Sequence, residues 1–468
     1  MLFNKNVLSI ILIYCCFFAS CNSTKKNSNT ISSFNTLQKD SVIKVLAPFV
    51  MTDLKVFKHP DKIYAITNYG AVEGGHTLNT KAIEIAIKEC NANGGGTVLI
   101  PKGKWLTAKI HLQSNVNLHL QDSAELIFSD DYKEYLPAVQ SSWEGMECYN
   151  YSPLIYAFDC NNVTLSGKGK LVAKIDKWEA WYGRPPLHME GLKILYEMAV
   201  KNVPLAERDM TKKEYHFRPQ FIQFNRCTNV VIENLSIRNS PFWTVHLLLC
   251  NGVLVRGLDI FAHGHNNDGI DPEMTKNLLI ENCTFDQGDD AIAIKAGRDQ
   301  DGWRLNIPTE NVVIRNCIVK DGHQLVAIGS EISAGVRNVY IHNCIIPTEG
   351  KTSLNNILFI KTNSSRGGFV RNIYLSNIKA TKVAAAVLGI ATDVFYQWKN
   401  LVPQYEKRLT DIEGIYVENV DVDSVGIAVA IYGDKEKPVN TVMLKNIKAR
   451  HVSNQANIIE NVVNFQEN

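Results

Sequence analysis

The densest run of chemically active side chains in this 468-residue sequence is His263-Gly264-His265-Asn266-Asn267-Asp268-Gly269-Ile270-Asp271. A second run, Gln287-Gly288-Asp289-Asp290, leads through Ala291-Ile292-Ala293-Ile294 to Lys295. Asp268, Asp289 and Asp290 are the candidates for acid–base work. Hydrolysis of a glycosidic bond needs such a set: one carboxylic acid protonates the leaving oxygen while another carboxylate activates water or attacks the sugar. Carboxylates crowded on one face repel one another, which raises the pKa of at least one of them. A calcium site or a ladder of acidic bends has similar spacing. His323, in Asp321-Gly322-His323-Gln324, and Lys361 further on favour an active site over a cation cage. Lys361, Asn266 and Lys295 are candidate substrate-binding residues, joined by Arg298, Arg366 and Trp303 from neighbouring loops. Arg218 is one more cation in reach of the same region, and for each arginine a loop salt bridge is the competing role.

A repeat positions these residues. The phrase Asn229-Val-Val-Ile-Glu-Asn234 returns as Asn277-Leu-Leu-Ile-Glu-Asn282, Asn311-Val-Val-Ile-Arg-Asn316, Asn338-Val-Tyr-Ile-His-Asn343 and Asn372-Ile-Tyr-Leu-Ser-Asn377. Variants stand at Asn162–Gly167, Gly252–Gly257, Gly414–Asn419 and Thr441–Asn446. The closest spacings are about 23–27 residues, the period of a solenoid coil. Each phrase is a short strand with period-two burial that cannot bury its face alone, so coils must stack in parallel. Residues one coil apart then lie about 4.8 Å apart, and Asp268 and Asp289 are about one coil apart. The asparagines that end the phrases suit tight left-handed bends and can hydrogen-bond along the stack. Cys160, Cys227, Cys250, Cys283, Cys317 and Cys344 recur at fixed phases, which fits stacked apolar thiols better than disulfides. Helical spacing over 80–91 predicts a cap for the open end, and a second helical stretch over about 191–208 interrupts the repeat. The expected fold is all-β, a single-stranded parallel β-helix with an N-terminal capping helix and a helical insertion near 176–216.

The N-terminus has a different character. Lys5, a mostly apolar run over 7–19, and Phe18-Ala19-Ser20-Cys21 read as a signal peptide over 1–21, with Cys21 as a lipidation site. Residues 22–44 read as a polar tether, and 45–468 as the catalytic domain. A net charge of +2 gives no reason to expect a nucleic-acid partner. The expectation is an exported monomer, in the periplasm or on the outer membrane of a Gram-negative bacterium, touching membrane only through its lipid.

The motifs Asn266-Asn267-Asp268-Gly269, Gly288-Asp289-Asp290 and Gly322-His323 resemble, in order and spacing, those of glycoside hydrolase family 28, the polygalacturonases. Ser240-Pro241-Phe242-Trp243, Ile328-Gly329-Ser330-Glu331, Ile360-Lys361-Thr362-Asn363 and Arg366-Gly367-Gly368 extend the resemblance, as do Tyr69-Gly70-Ala71 and Gly94-Gly95-Gly96. It implies a right-handed parallel β-helix and an inverting hydrolase of galacturonate-containing pectic chains, with no metal or other cofactor. It also implies Asp289 as general acid, Asp268 and Asp290 holding the attacking water, His323 influencing the acid's protonation, and Lys361 binding a substrate carboxylate. Four departures stand out: Phe359 in place of the family's arginine before Ile360-Lys361, Gln324 after the histidine, Ala291 and Ala296 after the aspartate pair, and His265 for a proline.

Two other classes fit the same fold: a polysaccharide lyase using calcium and a basic residue, and a non-catalytic glycan-binding β-helix. The aspartate trio favours the hydrolase. Inserts over 174–218, 298–308, 347–354 and 396–410 flank the active coils, which predicts a walled pocket and removal of terminal residues rather than mid-chain cutting.

Overall fold

A computed structural model describes residues 41–347, 354–453 and 456–468. Among them, 30 strands join one parallel network, a right-handed parallel β-helix. One coil runs through Asn251–Arg256, Asp259–Ala262 and Ile270–Glu273, and the next through Lys276–Glu281, Thr284–Gln287 and Ile292–Ile294. Counterparts pair in register: Leu254 with Leu279, Phe261 with Asp286, Ile270 with Ile292. Toward the C-terminus the three faces fuse, and single strands of 23 and 22 residues, Phe369–Ala391 and Asp411–Tyr432, bend through whole coils.

Alternation within each strand builds the core. Ile222, Val245, Ile270, Ile292, Val326, Leu358 and Leu388 form one inward row, paired rung by rung and all buried. Burying such side chains stabilises by about 1.5–3 kcal/mol each before chain entropy is counted. The corners follow the asparagines. Asn234, Asn282, Asn316, Asn343, Asn377, Asn419 and Asn446 all have φ between 54° and 60°, a region that asparagine tolerates better than other residues with a Cβ. At the opposite end of the phrase, side-chain amides form a ladder: Asn229 donates to Asn162, Asn311 to Asn277 and Asn338 to Asn311, each at 3.0 Å. The eight described cysteines are buried thiols. Those of Cys250 and Cys283 donate to the carbonyl two residues back, each at 3.4 Å.

The helix Thr80–Ala92 closes the first coil with Ile83, Ala86, Ile87 and Cys90. The insertion's long helix runs Pro186–Val200, displaced toward the N-terminus from the expected 191–208. Proline is suited to the first helical turn, which sets the start, and Pro204 stands too close to allow continuation.

Two features differ from the sequence reading. Ser41–Ile43, assigned to the tether, is a strand antiparallel to Leu54–Val56. Leu54 and Val56 then cover an apolar outer row of Val231, Leu254, Leu279 and Val313, so the folded body includes this segment. The signal peptide, Cys21 and the rest of the tether lie outside the described residues. The second feature is a hairpin, Val139–Trp143 with Met146–Asn150, that the repeat pattern does not reveal. Its turn is Glu144-Gly145, with φ of 44° and 87°. Positive φ at both central residues matches the twist of the flanking strands.

Candidate active site

The site sits at one corner of the coil, just before the strands Ile270–Glu273, Ile292–Ile294 and Gln324–Ile328. Gly269 N–H donates to the Asp290 carbonyl at 3.0 Å, and Ala291 N–H to that of Gln324 at 2.9 Å. This register places Asp290, rather than Asp289, directly over Asp268. Asp289 and His323 stand one position earlier on their coils. His323 N–H donates to the Asp289 carbonyl at 2.8 Å, and their side chains meet through Nδ1 and Oδ1 at 3.1 Å. Asp290 is held on both oxygens, by Gln324 Nε2 at 2.8 Å and Lys361 Nζ at 3.0 Å. Gln324, noted as a departure, thus anchors a carboxylate of the central trio.

Lys295 lies beneath, 4% exposed, 3.7 Å from Asp268, 3.6 Å from Asp271 and 3.4 Å from Glu331. Arg298 reaches Glu331 at 2.6 Å and Glu144 at 3.3 Å and stacks on Trp398. Above these groups opens a cavity of about 600 Å³ whose lining includes Asp268, Asp289, Asp290, His323, Phe359 and Tyr396. Asn266 lines it too, with its Oδ1 accepting from the buried Arg218 at 3.0 Å.

Charge crowding sets the protonation. Burial, reinforced by the Asp289 charge, pushes Asp268 up to about 8. Burial and the Asp268 charge push Asp271, fully enclosed, well above the carboxylate range. Asp290 is raised mainly by burial, against the pull of Lys361. Asp289 goes the other way: burial works upward, but the His323 hydrogen bond and the Lys361 charge outweigh it. The same hydrogen bond raises His323. Asp268 and Asp271 are therefore the carboxyls that hold protons, and the contact between Asp289 and His323 favours the ion pair. Asp289, Asp290 and His323 bring one ligand atom each within 4.8 Å of the others, as do His263, Asp286 and Asp321 outside the cavity. In the first set Lys361 already balances one carboxylate.

Two expected residues fall outside. Arg366 is buried against Asp299 at 2.6 Å, in a separate recess behind Trp398. Trp303 donates to the Arg366 carbonyl at 2.9 Å and stacks under Arg408, which joins loops rather than facing sugar. Arg218 likewise spends its guanidinium on the Pro241 and His265 carbonyls. Conversely, Glu144, Arg184, Tyr396 and Gln397 line the cavity. The only sequence signal for Glu144 is the turn-forming Glu144-Gly145 pair, and Arg184 lies inside the insertion with no motif around it. Gly145 is required there: a Cβ would come within 2.7 Å of the Arg298 backbone nitrogen.

Most informative is what covers the neighbouring coils. On the outward face, Gln223, His246, Asp271 and Glu273 are fully buried. The hairpin lies on them: Ser141 donates to Gln223 at 3.1 Å, and Ser142 to Glu273 at 3.3 Å. His246 bridges Gln223 and Glu273 at 2.8 and 2.9 Å. The groove on the N-terminal side of the catalytic corner is thus filled with protein.

Residues 206–467 match the family described as "Glycosyl hydrolases family 28". A hyperthermoactive exopolygalacturonase from Thermotoga maritima superposes with a TM-score of 0.80 at 36% identity, covering 89% of this chain and 94% of that one. An exo-poly-alpha-D-galacturonosidase of Dickeya chrysanthemi is 27% identical over 84% of this chain and 68% of its own length. A probable polygalacturonase of Vitis vinifera is 27% identical over 82% of this chain and 73% of its own.

Proposed function

The chain belongs to family 28 of the glycosyl hydrolases and is a glycoside hydrolase; from that premise we propose that it removes terminal galacturonic acid from pectic chains or oligosaccharides by inverting hydrolysis. The observation that carries end-wise cutting is the buried outward face at Gln223, His246, Asp271 and Glu273. A polymer lying across the catalytic corner would need that surface open. With the hairpin on it, a chain enters from one side and stops. The exo-acting names of the relatives from Thermotoga maritima and Dickeya chrysanthemi agree with this reading.

In the reaction, Asp289 gives its proton to the glycosidic oxygen as the bond to the anomeric carbon breaks. Water held by Asp268 and Asp290 attacks that carbon and passes a proton to one of them. The resting cavity has the proton on Asp268, so the productive state differs by transfer of one proton to Asp289. What matters is that the trio holds one proton, not where it rests before substrate binds. Asp290 lies close to Asp289, closer than the ~6.5–9.5 Å gap of inverting enzymes, so the water's place is set mainly by Asp268. NMR of the first product decides the stereochemistry: inverted configuration supports this scheme, and retention would make Asp290 a nucleophile.

The time course on long polygalacturonate tests the rest. Early monosaccharide with little fall in viscosity is the expected result; a rapid fall with mixed oligomers would overturn end-wise action. We also assign the chain to the exported proteins, anchored by lipid at Cys21. No described helix is long and apolar enough to cross a membrane. Cys21→Ser should release the protein from the membrane fraction, and unchanged partition would refute the anchor.

A further inference from the structure

A uronate substrate brings negative charge into a cavity already lined by Glu144, Asp268, Asp289, Asp290 and Glu331. Most of the cations on its wall are committed. Lys295 pairs with the Glu331 carboxylate beside the carboxyls of Asp268 and Asp271, Arg298 with Glu331 and Glu144, and Lys361 with Asp290. Their charges hold the enzyme's own acids in place and leave little for a ligand.

Arg184 is different. It projects from the segment between the short helix Asp176–Glu179 and the helix Pro186–Val200, is exposed, and lines the cavity. Among the described residues no carboxylate stands within ion-pair distance of it. Its one hydrogen bond runs from Nη1 to Gln397 Oε1 at 3.1 Å, across 213 residues, to the loop that also supplies Tyr396 and Trp398. That neutral contact fixes the guanidinium at the cavity rim without neutralising it and leaves Nη2 and Nε to bind. A planar guanidinium with free N–H groups is suited to a bidentate carboxylate. Phe359, two residues before Lys361 on the same strand, brings no charge to the cavity.

We propose that Arg184 is the cation that binds a uronate carboxylate at the cavity rim, so that the insertion, rather than the β-helix, selects for an unesterified acidic sugar. This rests on the reading of the substrate as a galacturonate chain. Because Arg184 stands apart from the trio, it should act on binding more than on bond cleavage.

The test compares wild type, Arg184→Gln, Arg184→Lys and Gln397→Ala on trigalacturonate and on the same oligomer methyl-esterified. Arg184→Gln should raise KM on the acid about tenfold or more, with kcat changed only a few-fold, since a charge-assisted pair is being lost. Arg184→Lys should recover part of the binding. Esterification should cost the wild type and Gln397→Ala more than it costs Arg184→Gln, because the penalty vanishes once its partner is gone. A purely structural clasp would instead leave Arg184→Gln with as large an esterification penalty as the wild type, and that result would overturn the proposal. Unchanged KM in Arg184→Gln, with an active wild type, would overturn it while leaving the substrate reading intact. An inactive wild type on both oligomers would overturn the substrate reading and this proposal together.

Discussion

The two faces of the catalytic sheet are built from alternate residues of the same strands, yet they obey different rules. Inward, Val245, Ile270, Ile292, Val326 and Leu358 repeat one solution to one problem, and each coil supplies what the last one did. Outward, His246, Asp271, Lys295, Phe359 and Lys361 share no chemistry from coil to coil. Most of them are nevertheless buried, because the hairpin and the loops lie over them. The inner face tolerates substitution as a continuum of volume, whereas each outer residue answers a particular charge. Stability thus resides mainly in the repeat, and reactivity in the positions that break it.

The largest expected effect tests the outer face. Asp289→Asn should lower turnover at least about a hundredfold, in keeping with general acid–base catalysis, while the melting temperature barely moves. Near-normal turnover in the folded variant would remove the acid from the scheme. On the inner face the reverse should hold. Ile292→Ala should cost about 2–5 kcal/mol of stability through lost contacts and a cavity. Specific activity of the protein that remains folded should stay within a few-fold. Equal loss of both properties in either variant would erase the distinction between the faces.

A smaller effect concerns protons. Asp268 keeps its proton up to about pH 8, so under the proposed one-proton scheme kcat/KM should decline as pH rises through that value. A profile flat to pH 10 would contradict the one-proton state. Asp271 sharpens the point. Its carboxyl is raised in the folded state, so the folded chain binds more protons than the unfolded one above about pH 4, and stability falls as pH rises through that range. Asp271→Asn lacks this slope and should gain on wild type between pH 4 and 8 in denaturant titrations. A parallel pair of stability curves would show that Asp271 is ionised after all. Smallest of all, Asn311→Ala removes two bonds of the amide ladder, the one to Asn277 and the one from Asn338, each at 3.0 Å. It should cost about 0.5–1.5 kcal/mol for each bond without touching activity.

The uneven legibility of the molecule follows from the same division. Repetition made the coils readable: the phrases ending in Asn234, Asn282 and Asn316 disclosed strand, bend and stacking together. The capping helix was readable from the spacing of Ala82, Ile83, Ala86 and Ile87. The meeting of Asp268, Asp289 and Asp290 at one corner was readable because motif and repeat agreed, although the register that pairs Asp268 with Asp290 needed the backbone hydrogen bonds. What failed were single, non-repeating contacts. Nothing in the sequence distinguishes Arg366, which meets Asp299, from Arg298, which meets Glu331, since both lie in loops with acids nearby. The hairpin over 139–150 escaped because its strands pair with each other and carry no repeat phase. Its burial of His246 and Glu273 therefore left no periodic trace.

That hairpin has a consequence in time as well as space. Contacts between coils close short loops: Asp290 and Gln324 are 34 residues apart. The hairpin's contact from Glu144 to Arg298 spans 154. Closure over a longer span is slower, so winding should run from coil to coil while the hairpin waits for its landing surface. Until then Asp271, Lys295 and Glu273 stay hydrated, and the cost of burying them is deferred until the coils beneath are already rigid. In pulse-labelled hydrogen exchange during refolding, amides of Met146–Asn150 should gain protection after those of Ile270–Glu273. The pocket would then be the last thing the chain makes, closed over a finished scaffold.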